Sequence, residues 1–231
     1  MSEIEKIPLN RIFVSPDNPI REFDEQALKK LADSIKKHGL TQPIMVRPKN
    51  GGYELIIGES RFRACKMIGL TEIDARVETL DDSTAMEMRL IENTHRTDLI
   101  DAEKGDAVYA LIERFPDKYP TIKDLADAIG KPLGTVTAWT QKSERLAESV
   151  RELVGAHKIT EKAANYLLKY NNDIQSKLAN IAANYPLKEP QAIKFFQLYD
   201  LNPHESLSRA RYLASIKLVG AAESNRRKKK A

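Results

Sequence analysis

A chain of 231 residues with 42% hydrophobic and 30% charged side chains has the composition of a water-soluble protein with one or two cores. No apolar run approaches the ~20 residues of a membrane helix, no basic-then-apolar leader opens the sequence, and one cysteine, Cys65, excludes an intramolecular disulfide. The net charge is only +4; residues 199–231, with eight basic and three acidic side chains, carry +5, which leaves the rest of the chain at −1. A cytoplasmic protein is expected, and its terminal "RRKKKA" reads as a basic tail that adds sequence-independent attraction to phosphate backbones.

The stretch "IPLNRIFV" is strand-like and is followed by the turn "SPDNP". Asp24 is placed to cap a helix bearing Ala27, Leu28, Leu31, Ala32 and Ile35 at helical spacing, which Gly39 ends. "PIMVR" and "YELII" flank "PKNGG", a predicted hairpin with its turn at Asn50–Gly52. The segment "GESRFRACKMIG" opens a helix that ends at Gly69, and "IDARV" is a further strand. Thr84 with Glu87 fits a capping box for a helix to about Thr94. Residues 1–98 therefore read as a small α+β domain.

Beyond them the strand signals stop. Asp101 is expected to cap a helix carrying Val108, Leu111, Ile112 and Phe115, stopped by Pro116 and Pro120. Short helices follow to about Tyr185, one of them capped by Thr160, giving a helical domain over 99–186. Prolines at 186 and 190 mark a last segment, 187–231, of two helices and the basic tail.

Within the helical domain, "TIKDLADAIGKPLGTVTAW" predicts a helix-turn-helix at about 121–142. Leu125, Ala126 and Ile129 share a face, Gly130 supplies a turn with positive φ, and Val136 and Trp139 would pin the second helix. Lys131, Gly134, Thr135, Thr137, Ala138 and Lys142 are left on or beside the outward face, able to enter a major groove. An ordinary helical hairpin shares the glycine turn; the combined spacing favours DNA. Base-reading arginines are few, so affinity should lean on phosphate contacts and on a dimer.

Two arginines, Arg61 and Arg63, stand where a helix begins, facing the positive end of its dipole at a cost of up to ~1 kcal/mol each. A phosphate chain beside Gly58 would reverse that sign, held by the first N–H groups and both guanidinium groups. The bland alternative is that Glu59 neutralises them locally. In "IENTHRTDL", Glu92 and Asn93 offer hard oxygen ligands of the kind Mg²⁺ accepts, and Arg96 lies one helical turn from Glu92. Here the alternative is a salt-bridged helix end with His95 and Arg96 near its C-terminus. No G-x-x-x-x-G-K-[ST] motif occurs, which excludes a P-loop NTPase.

In the order "IREFD", "HGLTQPIMVR", "GESRFRA", "IENTHRTDL" and then a helix-turn-helix, residues 4–155 resemble the ParB partition-protein family. The resemblance implies a ParB/sulfiredoxin-like α+β domain that binds CTP with Mg²⁺, then an all-α helix-turn-helix domain and a C-terminal helical segment. It further implies homodimers that bind double-stranded DNA at a palindromic, centromere-like site and close into a sliding clamp for chromosome or plasmid partition, placing the protein on nucleoid or plasmid. Matched motif by motif, Gly39, Leu40, Thr41, Gln42 and Pro43 would line base and sugar. Gly58, Glu59, Ser60, Arg61 and Arg63 would hold the triphosphate, with Arg21 nearby. Glu92 and Asn93 would hold the metal, and Arg96 would link nucleotide to clamp closure. Slow hydrolysis of CTP to CDP and phosphate would time reopening, although no residue reads as a dedicated general base.

The chain departs from the family pattern in places. Ser60 stands where G-E-R-R has arginine, His95 where glutamine is common, and Thr97 where an acid is common. The resemblance also implies a ParA-type ATPase as a possible partner, but the basic, glycine-containing peptide that stimulates it is not seen before the first strand, which leaves that coupling doubtful. Two other readings stand beside the clamp. One is a site-specific helix-turn-helix regulator of transcription or of the nucleoid that binds no nucleotide. The other is an enzyme, because the N-terminal fold resembles sulfiredoxins and certain free-serine kinases; Cys65, inside an apolar helical pattern, is a poor redox nucleophile.

Overall fold

Two adjacent left-handed residues set the middle of the sheet. Asn50 and Gly51 have φ of 53° and 73°, and positive φ at both central positions is the mark of a two-residue type I′ hairpin. The turn is one residue tighter than the sequence suggests, because Gly52 already pairs with Lys49. A side chain at Gly52 would crowd the Arg11 carbonyl, 2.8 Å from a Cβ placed there. The computed structural model describes residues 4–15, 24–94, 99–185 and 187–201. Its strands are β1 (Ile4–Pro8), β2 (Ile12–Val14), β3 (Ile44–Lys49), β4 (Gly52–Ile57) and β5 (Glu72–Val77), in the order β1-β5-β3-β4-β2. The β1/β5 and β3/β4 pairs are antiparallel; β3/β5 and β2/β4 are parallel.

The chain divides into two compact units, Met1–Leu99 with Glu103–Thr137 and Ile100–Ala102 with Ala138–Ala231. In the first, α1 (Glu25–His38) and α2 (Glu59–Met67) pack with the sheet around Ile35, Ile44, Val46, Leu55, Phe62 and Cys65. Asp24 caps α1 as its sequence implies, its carboxylate accepting from the N–H groups of Gln26 and Ala27. The helix α3 (Asp82–Thr94) corrects the sequence reading. Its cap is Asp81, whose carboxylate accepts from the Thr84 N–H at 2.7 Å and from the Ser83 hydroxyl at 2.8 Å. The Asp81 carboxylate brings a full charge to the positive helix end and accepts from the Thr84 N–H three residues on, so the helix starts earlier and Thr84 is its third residue. These bonds, the Thr84 N–H first, pull the Asp81 carboxyl down to about 2.

One buried charge network fastens α3 to the sheet. Arg47 and Glu54 face each other across the hairpin at 4% and 2% exposure. The Arg47 Nε donates to Glu54 at 2.6 Å, its Nη1 donates to the Leu80 carbonyl at 3.0 Å, and its Nη2 donates to Asp82. Lys49 bridges both carboxylates, at 3.0 Å from Asp82 and 3.4 Å from Glu54, and buried Arg89 lies 3.4 Å from Glu54. Burial pushes the Glu54 carboxyl up, but Arg47, Arg89 and Lys49 outweigh it and leave it low. Asp82, bonded first to Arg47 and then to Lys49, falls to about 2.

The second unit is helical. Its helices α7 (Glu148–Gly155), α8 (Glu161–Leu167), α9 (Asn172–Asn184) and α10 (Glu189–Leu201) enclose Val150, Leu167, Leu178, Phe195 and Phe196. Thr160 caps α8 through the Ala163 N–H. Gln175 is fully buried and fully used: its amide donates to the carbonyls of Arg145 and Tyr170 and accepts from the Ala147 N–H. Asp101 is the first residue of α4 (Asp101–Arg114) rather than its cap. Its N–H donates to Glu161 at 2.8 Å, and its carboxylate pairs with Lys142. The second helix expected after Pro190, and the basic tail, lie outside the described residues. Among the described residues no helix is long and apolar enough to cross a membrane. The architecture is the expected one, an α+β domain followed by helices.

The network's pH dependence has a definite sign. Glu54 and Asp82 titrate lower in the fold than in an unfolded chain, where such carboxyls sit at about 4. Their stabilisation is therefore present above about pH 4 and is lost as pH falls toward 2. The urea midpoint should drop between pH 5 and 2.5, and Asp82→Asn should flatten part of that drop. An unchanged pH slope in the variant would contradict the assignment.

Candidate functional site

The loop entering α2 is built around Gly58. Its φ of +100° lies in the left-handed region, and a Cβ there would sit 2.9 Å from the Arg61 Nη2 and 3.0 Å from the Ile44 Cγ2. No side chain caps α2, so the first N–H groups, those of Glu59, Ser60 and Arg61, point out of the helix start without an intrahelical partner. Such a terminus favours an anion.

The two arginines behind that turn have different surroundings. Arg61 reaches inward: its Nη1 donates to the carbonyls of Gln42 at 3.0 Å and Pro43 at 2.7 Å. Burial pulls its pKa down while the nearby Glu92 carboxylate opposes that shift. Arg63 is exposed and pairs with Glu59 one turn back, its Nε 2.7 Å from the buried carboxylate. Both guanidinium groups thus hold acceptors within the fold. Cys65 is fully buried, and burial raises its thiol pKa, which suits a core side chain rather than a nucleophile.

Arg61 draws the loop Gly39–Pro43 onto α2, and its electrostatic partner Glu92 brings the end of α3 to the same place. Gly39, Thr41 and Gln42 are exposed on that loop, while Leu40 packs against the core. Next to Glu92, Asn93 is buried at 2% exposure and its Oδ1 has no hydrogen-bond partner. A buried amide oxygen without a donor suits a hard cation. Among the described residues no cluster of three or more His, Cys, Asp or Glu side chains could hold a metal. Residues 92 and 93 supply one carboxylate and one amide oxygen, donor types that suit Mg²⁺, which keeps waters and phosphate oxygens in its remaining positions. Arg21 and Arg96, and with them His95, lie outside the described residues.

The helix-turn-helix has the expected parts. Thr121 caps α5 (Ile122–Ala128), Gly130 turns the chain at φ 65°, and α6 (Leu133–Arg145) follows. Leu125, Ala126, Ile129, Val136 and Trp139 are buried. Gly134 and Thr135 are exposed, and Lys131, Thr137 and Ala138 are half-buried. Lys142 differs from them. Its side chain is 14% exposed and its ammonium is held by Asp101, with Glu161 at 3.6 Å, so it makes a tie within the second unit.

Sequence reasoning missed a clasp on α3. Tyr119, 1% exposed, donates its hydroxyl to Glu87, and Lys118 donates to the hydroxyls of Ser83 at 2.9 Å and Thr84 at 3.1 Å. Burial first, then Glu87, raises the Tyr119 pKa. The clasp lies two residues before the Thr121 cap. The signal was an aromatic residue between two prolines, masked by assigning Glu87 to a local capping box.

Residues 1–94 match the family described as the ParB N-terminal domain. The chromosome-partitioning protein Spo0J of Thermus thermophilus is 43% identical over 131 residues, which is 57% of this chain and 47% of that one. A probable chromosome-partitioning protein ParB of Coxiella burnetii is 32% identical over 208 residues, 90% of this chain and 70% of its own length. The chain thus spans between about half and seven tenths of these relatives. Among solved structures, that of the C-terminally truncated chromosome-partitioning protein ParB from Caulobacter crescentus, complexed to the centromeric parS site, is 27% identical. It matches with a TM-score of 0.56 and covers 82% of this chain and 97% of that one.

Gly58 offers a direct check on the turn. Gly58→Ala combines a strained φ with a clash against Arg61 and Ile44, and should cost about 1–3 kcal/mol in chemical denaturation. An unchanged midpoint would contradict the left-handed turn.

Proposed function

The chain belongs to the ParB family, and we propose that it is a CTP-dependent DNA clamp. One observation carries the nucleotide part: the loop around Gln42 and Pro43, the α2 start, and the Glu92–Asn93 end of α3 converge on Arg61 in one compact unit. A nucleoside triphosphate with its metal needs these three things together: a loop for the base, N–H donors for phosphates, and oxygen ligands.

The roles divide as follows. Gly39, Leu40, Thr41, Gln42 and Pro43 flank base and sugar, and Arg61 presets that loop by holding two of its carbonyls. Gly58, Glu59 and Ser60 present the start of α2 to the phosphates. Arg63, exposed at the rim, exchanges its Glu59 contact for a phosphate oxygen, with charge-assisted bonds on both sides of the exchange. Glu92 and Asn93 would hold Mg²⁺, which supplies positive charge to the triphosphate. Arg21 and Arg96 complete the set by motif alone. In the helix-turn-helix, Lys131, Gly134, Thr135, Thr137 and Ala138 face a major groove of a palindromic, centromere-like site, read by a homodimer in chromosome or plasmid partition.

A specific observation favours a second reading, a site-specific regulator with a silent nucleotide site. Arg61 and Arg63 are satisfied without any anion. Thermal unfolding separates the two. With Mg²⁺ and CTP at ~100-fold its Kd, the clamp reading expects a rise of about 5–10 °C, larger than for ATP, GTP or UTP. Asn93→Ala or removal of Mg²⁺ with EDTA should erase most of it. No shift with any nucleotide would favour the silent site, and equal shifts with all four would contradict the preference for CTP.

A further inference from the structure

Two neighbouring residues at the start of α6 are poorly explained by the fold. Leu133, the first helical residue, is 45% exposed, one of six exposed large apolar side chains among the described residues. Gly134 follows it in the first turn. Glycine weakens a helix relative to alanine, yet a Cβ at Gly134 would meet nothing within 4 Å, and its φ is not in the left-handed region. The fold has room for a side chain there and gains nothing visible from its absence. Gly52 and Gly58 are different, since neighbouring atoms or backbone conformation require glycine at both.

These positions are also the ones that meet base edges when a helix-turn-helix docks, because the recognition helix presents its N-terminal residues to the groove. The first turn here offers Leu133, Gly134 and Thr135, with Lys131 just before it. It contains no arginine for guanine, no asparagine or glutamine for adenine, and no carboxylate for cytosine. The base feature that a branched aliphatic side chain discriminates in the major groove is the C5-methyl group of thymine. A missing Cβ beside that leucine lets backbone and DNA approach closely.

We propose that Leu133 is a specificity-determining residue that packs on a thymine methyl group in each half-site, and that Gly134 provides the clearance for it. This rests on the reading of α6 as the recognition helix. It turns the scarcity of base-reading arginines into a positive statement: sequence is read here by methyl contact, while lysines and the dimer supply affinity.

The test uses the full chain and duplexes enriched by it from a library randomised over about 20 base pairs. Each thymine of the enriched site is then replaced singly by deoxyuridine, which removes only the methyl group. Burial of one methyl group corresponds to about a fourfold loss of affinity, and about fifteenfold when both half-sites are changed. One symmetric thymine pair should show these losses with the wild-type protein. Leu133→Ala, at an exposed position, should bind thymine and uracil duplexes equally. Gly134→Ala should raise the thermal midpoint yet bind the enriched duplex more weakly. If no sequence is enriched, the DNA-binding reading fails and this inference with it. If a site is enriched but no thymine is methyl-sensitive, or Leu133→Ala keeps the full thymine/uracil ratio, only the inference is overturned. Undiminished binding by Gly134→Ala overturns the clearance role.

Discussion

A guanidinium buried at the centre of a sheet imposes conditions on everything around it. Arg47 cannot lose its charge and cannot stay buried without acceptors, so the fold has to deliver Glu54, the Leu80 carbonyl and Asp82 to it. Glu54 comes from the strand across the hairpin, so the Asn50–Gly51 turn must keep its register. Leu80 and Asp82 come from the approach to α3, so that helix must start at one place and in one direction. Ion pairs of this kind contribute modestly to net stability but penalise wrong arrangements heavily. The consequence for function is positional. With its N-terminal end held, α3 sets its other end, with Glu92 and Asn93, beside Arg61 and the Gly58 turn.

The same helix is gripped on a second side. Lys118 and Tyr119 bind Ser83, Thr84 and Glu87 in its first half, and the chain runs from Tyr119 through Pro120 into the Thr121 cap of α5. Glu92 and Asn93, the proposed metal ligands, and the entry to the helix-turn-helix are therefore referenced to one helix of one unit. On the proposed function, a nucleotide that shifted the far end of α3 would act on a body to which the segment proposed to read DNA is attached. The coupling requires no long relay, only that α3 move as a helix.

Much of this was legible because it is local. The caps at Asp24 and Thr160, the glycine at 130 and the helix-turn-helix spacing each depend on residues within a turn or two of one another. Where two local solutions competed, sequence chose wrongly: Asp81 and Thr84 can both start α3, and the charged group at the helix dipole prevailed. The convergence of three motifs came from resemblance, and the direction of Arg61 was not legible. A cation at a helix start suggests a side chain turned outward, but its acceptors are carbonyls 18 and 19 residues earlier in the chain. The anchors of Lys142 are distant in the same way, 41 and 19 positions away in the chain. Arg63 was the reverse case, because a carboxylate four residues before an arginine on a helix is a contact that spacing alone announces.

The central claim is that three separate segments form one CTP–Mg²⁺ site, and amide hydrogen exchange tests it most directly. The first N–H groups of α2 have no intrahelical acceptor and should exchange fast without ligand. With CTP and Mg²⁺, slowed exchange should appear together at residues 39–42, 58–61 and 90–94, and ATP should produce far less of it. Protection confined to one segment, or absent from the α2 start, would contradict the account.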